Sequence, residues 1–108
     1  MLIIATSLRR MHDGVDYATF RRAWLPDETF PDDPRRRVLS GLNLRDPQEI
    51  LTCAIIEGDP AELPMWEARL GPSERRRIER LHDLVGPSLS GGAYRIVGDD
   101  DLSRPIAA

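Results

Sequence analysis

The chain has 108 residues, with 18 acidic side chains against 15 basic ones and a formal net charge of −3. That length fits one domain with one modest core, and 41% apolar with 31% charged residues is a globular rather than a disordered balance. Every basic residue is arginine, so a Schiff-base or phosphate-loop lysine is excluded, and the acidic balance argues against nucleic acid as a partner.

The single cysteine, Cys53, cannot close an internal disulfide or build a cysteine-rich zinc site, which fits a reducing compartment. The apolar start, Met1 to Leu8, is too short to span a bilayer, and neither a basic segment nor a cleavage site accompanies it. A cytoplasmic protein with no membrane partner is the expectation.

Leu2 to Leu8 reads as a first strand, broken by His12-Asp13-Gly14. Asp13 or Asp16 can cap the helix that follows, in which Tyr17, Phe20 and Trp24 recur at helical spacing until Pro26 stops it. Asp27 to Arg35, with Pro31 and Pro34, is a loop or lid. Arg37 to Leu44 and Glu49 to Gly58 read as a hairpin turning at Arg45-Asp46-Pro47-Gln48.

Asp59 and Pro60 open a second helix with Leu63, Trp66 and Leu70 on one stripe. Gly71-Pro72-Ser73 is expected to interrupt it, with a second half running to Val85 and Ile78, Leu81 and Val85 inward. Gly86 to Gly92 reads as loop and Ala93 to Gly98 as the last strand; 99–108 is an acidic, loose tail. The order β-α-β-β-α-β over 1–98 predicts one α+β domain, a ferredoxin-like split βαβ with a four-stranded antiparallel sheet and both helices on one face.

Strand residues alternate faces, yet these strands are apolar at both parities: Leu2, Ile4 and Leu8 against Ile3 and Ala5, and Ile50, Ala54 and Ile56 against Leu51, Cys53 and Ile55. Two helices cover one face only, so a second copy packed on the helix-free face is the expected partner. With that element order and pattern, residues 1–98 resemble the dimeric α+β barrel superfamily, including its antibiotic-biosynthesis-monooxygenase-like members. The resemblance implies a homodimer with a pocket between sheet and helices. It also implies several possible activities: cofactor-independent oxygenation of polycyclic phenols, isomerisation, or haem degradation.

His12 is a candidate general base or a solvated loop residue, since histidine titrates near neutrality. His82, Trp66 and Asn43 match the residue types that assist haem degradation in such relatives, but the spacing departs from theirs and no cofactor is expected. His12, Asn43 and His82 are the catalytic candidates if the protein is an enzyme. Tyr17, Trp24 and Trp66 either pack the core or line a pocket for a small hydrophobic molecule, with Thr6 and Ser40 as polar contacts from the strands. The triplets Arg35-Arg36-Arg37 and Arg75-Arg76-Arg77 read as solvated faces, or as a contact for an anionic ligand. An enzyme, a non-catalytic binding or interaction module, and a haem protein remain open.

Overall fold

The computed structural model describes residues 1–105; of the tail expected over 99–108, the last three residues lie outside it. Strand β1 spans Leu2–Arg10, helix α1 Tyr17–Trp24, β2 Arg35–Asn43 and β3 Asp46–Glu57. A 3₁₀ turn at Pro60–Glu62 leads into α2, Leu63–Leu81, and β4 is Ser90–Arg95. All four strands pair antiparallel in the order β2-β3-β1-β4, the ferredoxin-like split βαβ arrangement. No described helix is long and apolar enough to cross a membrane.

Local chemistry explains most boundaries. Asp16 caps α1 by accepting a hydrogen bond from the Thr19 N–H at 2.8 Å, and Leu25 turns extended before Pro26. The hairpin is tighter than expected. Asn43 pairs with Asp46, so only Leu44 and Arg45 form the loop, and the Asn43 side chain accepts from the Arg45 N–H at 2.9 Å. Asp46 to Gln48 therefore belong to β3 rather than to the turn.

Helix α2 is not interrupted. It runs through Gly71-Pro72-Ser73 for 19 residues, although Pro72 brings no N–H for the carbonyl one turn back. Glycine before the proline removes the Cβ that would clash with the pyrrolidine ring, so the helical conformation survives. Ser73 caps nothing: it is buried, and its hydroxyl donates to Asp27 at 3.2 Å. The helix ends at Leu81, four residues early, and Val85 is instead buried in an isolated bridge to Met11. Ile78, expected inward, is 55% exposed.

The last strand also lies earlier than expected. Gly91 and Gly92 are within β4, while Ile96 and Val97 lie beyond it. A Cβ on Gly91 would meet the Thr6 carbonyl of β1 at 3.1 Å, so glycine permits the close approach of these two strands. Residues 99–105 are exposed and form neither helix nor strand.

Asp27, just after α1, ties the helices together. It accepts from Arg76 Nε at 2.6 Å and from Arg76 at 3.0 Å through a second nitrogen, and these bonds hold its carboxyl at about 2, below its ordinary 3.8. A carboxyl lowered in the folded state stabilises the fold above its ordinary pKa, and that contribution is lost as pH falls through the folded value. Denaturation midpoints of the wild type and Asp27→Asn are therefore expected to differ most above 3.8 and to converge as pH approaches about 2. A constant difference across that range would show that Asp27 titrates as a free carboxyl.

Candidate functional site

Register decides which strand side chains face the helices. Ile3 pairs with Ile56, Ala5 with Ala54 and Ser7 with Thr52, while Val38 pairs with Ala54 and Ser40 with Thr52. The helix-side face therefore carries a hydroxyl row, Ser7–Thr52–Ser40, beside a row of small apolar groups, Ala5–Ala54–Val38. At one end of this face Ile50 packs with Phe20, Met11, Leu81 and Val85 into the buried core. Elsewhere the small floor residues do not reach the helices, and a cavity of about 900 Å³, partly open to solvent, remains between sheet and helices. That is the size of a small-molecule site.

The roof is aromatic. Tyr17, Phe20 and Trp24 stand at helical spacing on α1, with ring centroids 6.3 Å apart between successive members. Trp66 on α2 and Phe30 in the connecting loop close the other side, and Arg69 lies over both rings at 5.1 and 4.8 Å. The expected lid, Asp27 to Arg35, is one wall of the cavity, fastened by Asp27 to Arg76 and by Asp32 to Arg69 at 3.0 Å.

A chain of four charges runs along this wall. Asp33 accepts from Arg35 Nε at 3.1 Å and from a terminal nitrogen at 2.7 Å; a further Arg35 nitrogen donates to Glu74 at 2.7 Å. The second Glu74 oxygen accepts from Arg77. Arg35 and Arg77 side chains are each 17% exposed, so these members of the basic triplets are not solvated; Arg36, Arg37, Arg75 and Arg76 are. Burial alone would raise the Asp33 carboxyl, but the hydrogen bonds from Arg35 outweigh it and hold the group below its ordinary value. Hydrogen bonding to Asp33 in turn raises Arg35. Burial lowers Arg77, and its single carboxylate partner does not offset that.

The structure sorts the sequence-predicted residues. Tyr17, Trp24, Trp66 and Ser40 line the cavity. Thr6 borders it, but pairs with Cys53 and Gly92 in the opposite-face row, so Ser7 fills the place expected of it. None of the catalytic candidates lies there. Asn43 is a turn residue, its amide donating to Glu49 at 3.2 Å. His12 and His82 both border a separate, shallower depression of about 360 Å³, and the His82 side chain is 84% exposed. His82, the histidine expected to ligate a haem, does not line the cavity, so the pattern expected of His82, Trp66 and Asn43 is not assembled there.

In the sequence Arg77 stood out only as a member of its triplet and Glu74 did not stand out, although Trp66, Leu70, Ser73 and Arg77 follow one inward stripe of α2. The small floor residues stand out only once the pairing is known.

No protein-family model matches the chain, and no curated protein matches it. Among solved structures it is similar to a Chloroflexus aurantiacus protein classed as an antibiotic biosynthesis monooxygenase. The TM-score is 0.64 at 14% identity, over 94% of this chain and 99% of that one. The chain thus shares the ferredoxin-like α+β fold of that monooxygenase-like protein over nearly its whole length.

Proposed function

We propose that the chain works as a homodimer whose protomers each bind a small, largely apolar aromatic molecule between sheet and helices. The observation that carries this is the cavity itself: an aromatic roof over a floor of alanine, valine and hydroxyl side chains, with a volume of about 900 Å³. The helix-free face supports the dimer. Leu2, Leu39, Leu51 and Tyr94 are exposed on it, with Ile4, Leu8 and Ile55 between them and Arg37, Glu49 and Glu57 toward the margins. An apolar patch with a charged border has the anatomy of an interface, and a second copy offers a matching patch.

Binding is better supported than catalysis. Of the carboxylates lining the cavity, Asp33, Glu74 and Glu28 are each paired with arginine and Glu67 is exposed, and His12, Asn43 and His82 stand outside the cavity. Oxygen transfer to a bound polycyclic phenol is the second reading, favoured by the fold shared with a protein classed as a monooxygenase.

Titration with 2-naphthol, followed by fluorescence of Trp24 and Trp66, is expected to saturate. Ala54→Phe, which fills the floor, is expected to weaken binding at least about tenfold. Absence of saturable binding, or an unchanged affinity in Ala54→Phe, would overturn the proposal. Oxygen uptake on adding the phenol would separate the two readings.

A further inference from the structure

We infer that the molecule received in this cavity is an aromatic anion, its carboxylate or an equivalent oxygen pair set against Arg77. The inference rests on the cavity-binding proposal and adds the charge of the guest and the residue that reads it.

Arg77 borders the cavity with its guanidinium 5.1 Å from the centroid of Trp24. A guanidinium carries five N–H donors in a planar fork. Among the described residues, the Arg77 side chain donates only to Glu74, through one nitrogen. No buried side-chain nitrogen or oxygen among them lacks a partner, so the remaining Arg77 nitrogens are not sealed off, and Arg77 borders the cavity. Arg9 and Arg21 also line the cavity, Arg9 donating to the Ser7 hydroxyl at 3.3 Å and Arg21 lying exposed, while the arginines nearest Arg77 are committed. Arg35 binds Asp33 and Glu74, Arg76 binds Asp27, and Arg80 donates to the Ala23 and Leu25 carbonyls at 3.0 and 2.8 Å.

The surroundings of Arg77 favour an anion over a neutral acceptor. Glu74 is shared with Arg35, and the positive charges of Arg35 and Arg80 both act against the Arg77 cation, as does its burial. A guest carboxylate would take up the unspent donors as charge-assisted hydrogen bonds and offset that crowding. The aromatic body would lie alongside Trp24 and over the hydroxyl row Ser7–Thr52–Ser40. The site thus matches a planar aromatic acid better than a hydrocarbon or an amine.

The test compares 2-naphthoate with its neutral isostere 2-naphthamide by the same tryptophan fluorescence titration of the intact protein. The wild type is expected to bind the acid at least about tenfold more tightly than the amide. Arg77→Gln is expected to abolish the preference, bringing the acid-to-amide affinity ratio to about one. Arg77→Lys, which keeps the charge but not the fork, is expected to fall between. Equal binding of acid and amide by the wild type, or a preference that survives in a folded Arg77→Gln protein, would overturn the inference and leave the cavity proposal standing. Should Arg77→Gln not fold, the acid-to-amide ratio of the wild type and its response in Arg77→Lys decide. Binding of neither compound would overturn the cavity proposal and this inference with it.

Discussion

Phe20→Ala is expected to lower the unfolding free energy by about 3–5 kcal/mol, measured by chemical denaturation. Phe20 is 1% exposed and packs in the cluster of Met11, Ile50, Leu81 and Val85. It also stands between Tyr17 and Trp24, so its loss opens a void beneath both rings. Helix α1 has only eight residues, too few to persist without tertiary contact. The surrounding cluster has little freedom to collapse, because Met11 and Val85 are fixed by their backbone bridge. A loss below about 1 kcal/mol would show that α1 is not part of the cooperative core.

Leu51→Asp is expected to convert a dimer into a folded monomer. Leu51 lies on β3, an interior strand, next to Leu8 and Gly41 in the helix-free row, and is 45% exposed in the protomer. The isolated protomer therefore tolerates a carboxylate there, whereas a two-fold contact would bury two of them against apolar surface. Burial of unpaired charge costs several kcal/mol, enough to weaken association at least about a hundredfold. Light scattering at micromolar concentration checks both species, with circular dichroism reporting the fold. Leu44→Asp, at the exposed hairpin tip, serves as the control and is expected to leave the dimer intact. A wild type that is monomeric under these conditions would overturn the homodimer proposal.

The architecture was legible because it depends on features that sequence displays directly: strand parity, the Asp16 cap, the Pro26 stop and the order of elements. Helix α2 was misjudged at Pro72 because tertiary contacts on both sides, Leu70 and Leu81, hold together a helix that local propensity would divide. The last strand was misplaced because glycines normally argue against strand, whereas Gly91 suits the close approach of β1.

The aromatic half of the candidate site was legible from the periodicity of Tyr17, Phe20 and Trp24. The polar half was legible only at Ser40. Thr6 and Ser40 share a parity along the chain, but whether residues on different strands share a face depends on register, and register placed Ser7 beside Thr52 instead. The arginine triplets looked like surface because triplets must wrap around a helix or alternate across a strand. In each, one member faces inward, and it is that member, Arg35 or Arg77, that finds carboxylates.

The ties made by Asp27 and Arg80 bear on how the molecule can adapt to a guest. They join α1 and its following segment to α2 through directional polar bonds, Asp27 to Ser73 and Arg76, and Arg80 to two carbonyls. The helical layer meets the sheet through the apolar cluster around Ile50 at one end and through the Arg35–Glu74 ion pair, from β2 to α2, beside the cavity. The two helices thus form a single plate fixed to the sheet at two places. A guest that lifted this plate from the sheet beside the cavity would have to part Arg35 from Glu74, whereas the bonds within the plate would be untouched.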